Sequence, residues 1–447
     1  MEDLIGQISD FVWGPPTLIL IVGTGIYLTL RLGFLQIRAL PYALRLAFSP
    51  AKQDKNSKGD ISHYQALTTA MAATIGTGNI VGVATAVVLG GPGAVFWMWI
   101  TALFGMATKY AEAILAVKYR VENSKGEMSG GPMYYLEKGL KAKWLGVLFA
   151  IFGACAAFGI GNMVQANSVS DALNSSFSIP TWVTGLVLTV LAALVIIGGI
   201  KSIGKVTAFF VPIMALFYVL GGLVIIVMNL DIVPAAIGLI FSDAFTASAV
   251  GGGLLGTVIR YGVARGVFSN EAGLGSAPIA AAAAKTDYPG RQALVSMTQV
   301  FIDTIIVCSI TGITIVMADL AGSGLEGGPL TQASFAAFLG DWGGYIVTIG
   351  IVLFAFSTLV GWSYYGEKCF SYLFNDKVVP VYRIIFVIAI FWGSVQTLDL
   401  VWSISDVMNA LMAIPNLIGL LGLSGVVVYE TKKFLEIAKK EKEEARA

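Results

Sequence analysis

Ala72-Ala73-Thr74-Ile75-Gly76-Thr77-Gly78-Asn79-Ile80 sits in the middle of an apolar run, roughly 65–90, that is long enough to cross a bilayer as a helix. Two glycines and an Asn inside one such run weaken the helix locally. A break there exposes backbone N–H groups at the start of the following half-helix. Those donors, with the helix dipole, can hold a carboxylate. Carbonyls released from the preceding half can ligate a small hard cation. The bland alternative is close helix packing, because Gly78 and Gly82 form a GxxxG. The glycine pair is not a dinucleotide-binding motif, since no βαβ context surrounds it.

A second stretch has the same character. Phe268-Ser269-Asn270-Glu271-Ala272-Gly273-Leu274-Gly275-Ser276-Ala277-Pro278 places an acid, two glycines, two serines, an Asn and a Pro inside an apolar run near 257–285. Pro278 is suited to begin a half-helix, where its missing N–H costs little. Gly251-Gly252-Gly253 is an alternative break. The stretch 269–276 is preferred, because it puts Ile279 through Ala284 in the following half-helix and Lys285 at a membrane surface.

Outward from these two stretches, the composition is that of a membrane protein. Apolar residues make up 56% of the 447, and charged residues 12%, roughly half the share of a soluble domain. Backbone in lipid must satisfy its own hydrogen bonds, which leaves helix bundles or closed barrels. A barrel shows segments of about ten residues with alternating polarity. This chain instead shows helix-length apolar runs. About eleven spans are expected, near 15–31, 65–90, 93–118, 144–173, 181–200, 206–228, 257–285, 292–318, 342–367, 380–397 and 400–428. Cys155, Cys308 and Cys369 lie in apolar runs and read as packing residues, and His63 cannot build a metal site alone. A net charge of +1 gives no sign of nucleic acid binding. The opening residues lack the basic region of a cleaved signal peptide.

Charge orients the spans. Lys and Arg collect at Arg31 to Lys58, Lys118 to Lys143, Lys201 and Lys205, Lys285 and Arg291, Lys368 to Arg383, and from Lys432 onward. Every second loop is basic, while the alternate loops carry Asp231, Asp243, Asp319, Glu326 and Asp341. The positive-inside rule then expects an outside N-terminus and an inside C-terminus in a multi-pass protein of the plasma membrane. With the first span set aside, ten remain in two sets of five, and an odd number inverts the second set. Inverted repeats with a discontinuous first helix are a hallmark of secondary transporters. The expected fold class is thus an all-α membrane protein: an extra N-terminal helix plus a 5+5 inverted repeat with two discontinuous helices. Its parts are 1–60 (first helix and basic loop), 61–228 (first repeat), 229–256 (cap), 257–429 (second repeat) and 430–447 (tail). The half-apolar stretches 229–256 and 320–341 read as caps or re-entrant hairpins on the outer face.

Ionisable groups within spans are costly and are functional suspects. Glu271 is either a partner for a substrate ammonium or a brace for the break, with an ion pair to Arg265 as the bland alternative. Asp303 is a cation or proton site, or a buried structural hydrogen bond. Arg260 and Arg265 are candidates for an outer gate, or simply paired arginines. Glu112 and Asp406 lie nearer span ends and read as structural. Gln165 shares a helix face with Asn162. Its amide can bind either end of a zwitterion or make an interhelical bond. Ser357 and Thr358 offer two hydroxyls for a cation, although such hydroxyls often bond back to their own helix. Trp362, one turn on, is a candidate pocket wall.

Two long segments resemble the signature of the alanine or glycine:cation symporter family: Gly90-Gly91-Pro92-Gly93-Ala94-Val95-Phe96-Trp97-Met98-Trp99-Ile100-Thr101-Ala102-Leu103-Phe104-Gly105, and Arg265 through Ile279. The resemblance implies Na⁺-coupled uptake of alanine and glycine on a leucine-transporter-like fold. Ile75-Gly76-Thr77-Gly78-Asn79 is similar to the first broken helix of the neurotransmitter:sodium symporters. Carried over, Gly76 to Asn79 supply amides for the substrate carboxylate. The Ala72, Ile75 and Phe354 carbonyls and the Ser357 and Thr358 hydroxyls form a Na⁺ site. Thr74 and Asn79 stand where those relatives place a second Na⁺. The second break, with Ser269, Asn270, Glu271, Gly273, Leu274 and Ser276, is expected to bind the ammonium through its carbonyls. Gln165 and Trp362 wall the pocket.

The implied partners are alanine, glycine, Na⁺ and the bilayer, with no cofactor and a monomeric state. No His/Cys cluster or nucleophile–base pair appears, so no catalytic residue is assigned. A proton-coupled symporter, through Glu271 and Asp303, is the alternative, and a channel is the rival with the same spans.

Overall fold

The computed structural model describes residues 7–8, 11–49, 57–246, 256–396 and 399–444. The chain is an all-α membrane protein. Among the described residues a small sheet pairs Val121–Glu122 with Met128–Ser129, antiparallel, in the register Val121↔Ser129. Seven described helices are long and apolar enough to cross a membrane: Ala94–Lys118, Lys143–Phe177, Gly199–Met228, Pro289–Ala318, Asp341–Phe374, Asp376–Val395 and Ser403–Gly422. Shorter apolar helices include Pro15–Arg31 and Thr181–Ile196. Large apolar side chains stand outward on Thr181–Ile196 and Gly199–Met228, among them Leu194, Phe209 and Leu216. Such a wall suits lipid and would make a soluble protein stick.

Both interrupted helices form. Ser62 starts the first with a capping box: its hydroxyl accepts the Gln65 N–H (3.1 Å), and Gln65 Oε1 accepts the Ser62 N–H (2.9 Å). Helix His63–Thr74 then stops, a single 3₁₀ turn covers Thr77–Asn79, and Val81–Gly90 resumes. The second interrupted helix runs Thr257–Asn270, loses helical geometry at Glu271, and resumes at Pro278–Ala282 with Pro278 in its first turn. The alternative break at Gly251-Gly252-Gly253 lies outside the described residues.

Several boundaries differ from the sequence expectation. The last expected span, 400–428, ends at Gly422, and a separate charged helix, Ser424–Glu444, follows. That helix packs back on the bundle through ion pairs Lys118–Glu430 (2.7 Å) and Arg291–Glu441 (2.5 Å). The expected caps contain helices Val233–Asp243 and Gly327–Leu339. Asp243 accepts the Gly93 N–H at 2.8 Å, which ties the first cap to the start of Ala94–Lys118. Two helices carry π-helical segments, Gly159–Met163 and Phe301–Cys308. Such bulges need tertiary support and concentrate at functional sites.

Candidate functional site

At the first break Gly76 is required by close approach. A Cβ there would collide with Thr358 Oγ1. The released carbonyls meet the two hydroxyls named above. Ser357 Oγ donates within reach of Ala72 O (3.1 Å), Ile75 O (3.3 Å) and Phe354 O (2.8 Å). Thr358 Oγ1 lies 3.2 Å from Ala72 O and 3.1 Å from Phe354 O. The two hydroxyls thus bond across to Ala72 and Ile75 as well as back to their own helix. Five oxygens converge on one buried point, a donor set of the kind that suits a hard cation.

Beside this cluster lies a cavity of about 20 Å³, room for one or two waters. Thr74, Gly76, Thr77, Gly78, Gln165, Glu271 and Trp362 all line it. So do Phe268, Thr358 and Asn409. The other sequence candidates stand elsewhere. Asn79 Oδ1 accepts the Gly76 N–H (2.9 Å), and its Nδ2 donates to Asp303 Oδ1 (2.8 Å). The Gly76 amide is therefore engaged within the break. Ser269 Oγ donates to Asp303 Oδ2 (2.9 Å), and Asn270 Nδ2 to Thr304 Oγ1 (3.1 Å). Asp303 also accepts from Thr304 (2.8 Å), so its carboxylate is ringed by donors from both breaks. A Cβ on Gly78 would lie 3.3 Å from the Phe268 ring and the Ser269 Cα, while Gly82 has open space where a side chain would go. The GxxxG packing thus involves Gly78 alone.

The second break is built differently. Glu271, Gly273 and Gly275 all have positive φ (55°, 92° and 86°), which glycine tolerates without strain. The Glu271 carboxylate accepts Trp362 Nε1–H (3.0 Å) on one oxygen and Ser276 Oγ–H (2.5 Å) on the other. No ion pair joins it to Arg265, whose guanidinium lies over the Phe268 ring at 5.6 Å. Glu112, expected to be structural, has a structural role at the break itself, whose backbone it braces. Its Oε1 accepts Gly273 N–H (3.1 Å), Gly275 N–H (3.1 Å) and Asn416 Nδ2–H (2.7 Å). Lys109, one turn earlier, donates to Glu271 O at 3.0 Å and lies 3.8 Å from Glu112 Oε2. Both side chains are wholly buried, so the break carries its own resident charges. Lys109, Asn416 and Gln299 were missed in the sequence. Gln299 Nε2 touches both breaks, reaching Thr74 Oγ1 (2.9 Å) and Asn270 O (3.3 Å).

Arg260 and Arg265 line a second cavity of about 70 Å³ with Trp13, Tyr261 and Asp406, and Phe268 is the wall shared with the first. The opposite ends of the interrupted helices are stitched together. Asp60 and Ile61 N–H groups donate to Ala283 O (2.8 and 3.2 Å), and Lys285 N–H to Ile61 O (2.7 Å). Arg120 clasps the seam, donating to Ala282 O (2.9 Å), Ala284 O (2.7 Å) and Lys58 O (2.9 Å). Burial pushes the Asp60 carboxyl up in this seam, against the pull of the Met128 amide. The site is therefore shut on the Arg120 side and capped by Phe268 on the other.

Known proteins share this plan. The sodium:alanine symporter family model matches residues 1–447. A sodium/alanine symporter, AgcS of Methanococcus maripaludis, is 64% identical over 450 residues, covering 99% of each chain. Among solved structures, MhsT in complex with L-phenylalanine matches with a TM-score of 0.61 at 14% identity, over 84% of this chain and 93% of that one. A Na⁺-coupled sialic acid symporter matches with a TM-score of 0.54 at 14% identity, over 86% and 82%. The two structures share the fold, and the family match and the AgcS identity run the whole length, both breaks included. This chain belongs to the sodium:alanine symporter family, whose members are membrane transporters rather than enzymes.

Proposed function

We propose that the protein carries alanine and glycine into the cell with Na⁺ by alternating access. The observation that carries this reading is the five-oxygen cluster of Ala72, Ile75, Phe354, Ser357 and Thr358, set against a small cavity lined by the first break. Na⁺ takes the cluster and orders the first break. The carboxylate takes the Thr77 and Gly78 amides. Trp362, Phe268 and Gln165 leave room for a methyl side chain or none. Joint binding then allows Phe268, Arg260 and Arg265 to close over the site, and the Arg120 seam to open. Charge bias supports an outside N-terminus, which with eleven crossings leaves the C-terminus inside; the repeats are read at 61–228 and 257–429.

The test is labelled alanine uptake into proteoliposomes of the purified protein under an imposed Na⁺ gradient, a pH gradient or neither. Concentrative uptake with the Na⁺ gradient alone, inhibited by unlabelled glycine, is expected. Uptake that follows the pH gradient would replace Na⁺ by H⁺ coupling, and flux that is only downhill would make the protein a channel.

A further inference from the structure

Two buried amide oxygens in the cavity have no hydrogen-bond partner: Gln165 Oε1 and Asn409 Oδ1. Gln165 is 3% exposed and Asn409 2%. The orientation of Gln165 is fixed, because its Nε2 donates to Thr77 Oγ1 (3.2 Å) and Ile160 O (2.9 Å). Asn409 comes from Asp399–Gly422, a helix that contributes none of the site residues expected from the sequence. It is brought there by the π-helical segment Gly159–Met163. At Gly159 the chain is so close to Ser405 that any side chain would collide with it. Asn409 is one turn beyond Ser405 on the same face.

A buried acceptor left unmade is costly, so two in one cavity call for a ligand that donates. Meanwhile the second break, expected to supply carbonyls for an ammonium, has committed many of them. Asn270 O is taken by Gln299, Glu271 O by Lys109 and Gly273 O by Asn416 (2.8 Å). Both Glu271 carboxylate oxygens are taken as well, by Trp362 and Ser276.

We infer that Asn409 Oδ1, with Gln165 Oε1, receives the N–H groups of the substrate ammonium and makes Asn409 a specificity residue of this carrier. The inference rests on the amino-acid transport proposed above. Neutral dipoles suit a carrier: they satisfy the ammonium without a buried ion pair, whose separation at release would leave a charge stranded.

The test compares wild type, Asn409→Leu and Asn409→Asp in proteoliposomes, with alanine as substrate and N-methylalanine as competitor. Wild-type uptake of alanine is measured first, and its absence would overturn the proposed function and this inference together. Given that uptake, Asn409→Leu is expected to raise KM for alanine about tenfold or more, with kcat within about threefold. Asn409→Asp, which keeps an acceptor, is expected to recover most of that affinity. Wild type is expected to prefer alanine to N-methylalanine at least about tenfold, and Asn409→Leu to shrink the preference to about twofold, because the lost acceptor no longer reads the third N–H. The inference alone fails if Asn409→Leu leaves KM unchanged, if the Leu and Asp variants are equally impaired, or if the preference survives in Asn409→Leu while only the Na⁺ dependence shifts. Should Asn409→Leu not fold, Asn409→Asp decides. An Asp variant that binds alanine about tenfold more weakly, with the wild-type preference between the two amines, overturns it.

Discussion

At the first break the freed carbonyls of Ala72 and Ile75 meet only hydroxyl groups, which can yield to an ion. At the second break the freed groups meet the charged side chains of Lys109 and Glu112 and the amides of Asn416 and Gln299. On the function proposed above, one break is left for cargo to complete, and the other is completed by the protein. The difference teaches that a discontinuous helix is not in itself a binding site. What matters is which partner its loosened backbone has been given. A break filled by resident charges is a fixed wall, and a break filled by hydroxyls is a socket.

The largest effect should come from emptying the fixed wall. Glu112→Ala leaves the Gly273 and Gly275 amides and the Lys109 ammonium buried without their carboxylate. Removing one partner of a buried charge pair costs about 3–5 kcal/mol. The expected outcome is a sharp fall in membrane yield and in the thermal midpoint of the detergent-purified protein, whether or not Na⁺ is present. A variant with wild-type yield and midpoint would show that the second break does not depend on Glu112.

The socket should respond differently. Ser357→Ala with Thr358→Ala removes two ligands of the proposed cation and leaves three carbonyls. The Na⁺ concentration for half-maximal alanine uptake should rise at least about tenfold, equivalent to about 1.4 kcal/mol. The thermal midpoint without Na⁺ should move little, while the stabilisation that Na⁺ confers on wild type should vanish. An unchanged Na⁺ dependence would place the cation elsewhere.

The contrast between the breaks also marks what the sequence could and could not reveal. Both breaks were legible, because Gly76, Gly78 and Asn79, or Gly273, Gly275 and Pro278, disrupt an otherwise apolar run for local reasons. The fold class followed from span lengths. The occupants of the second break were not legible. Glu112 and Asn416 are separated by 304 residues, and Lys109 lies 162 residues from the carbonyl it holds. No local pattern connects them. Read alone, Glu112 is only a structural acid near a span end, and nothing local to Lys109 points to a carbonyl so far along the chain. The π-helical turn at Gly159–Met163 was hidden for a similar reason, since its support comes from packing against Trp362 and Ser405. The hydroxyl pair Ser357-Thr358 was visible, yet its alignment with Ala72 and Ile75 became meaningful only through the family resemblance.

The smallest of these effects should fall on Gln299, an amide that bonds directly to both breaks. Gln299 spans them with two neutral hydrogen bonds, each worth about 0.5–1.5 kcal/mol. Gln299→Leu keeps most of the volume and removes both. Neither the cation cluster nor the lining of the small cavity includes Gln299, so binding of Na⁺ alone should persist. What should weaken is the help that Na⁺ gives to alanine, because ordering the socket would no longer be felt by the wall. Measured as the ratio of alanine dissociation constants at low and saturating Na⁺, this coupling should drop severalfold, and by linkage the effect of alanine on Na⁺ affinity must drop by the same factor. If the ratio stays at its wild-type value while both affinities fall together, Gln299 serves packing only, and the two breaks communicate through another contact, with the Asp303 carboxylate between Asn79 and Ser269 the next to examine.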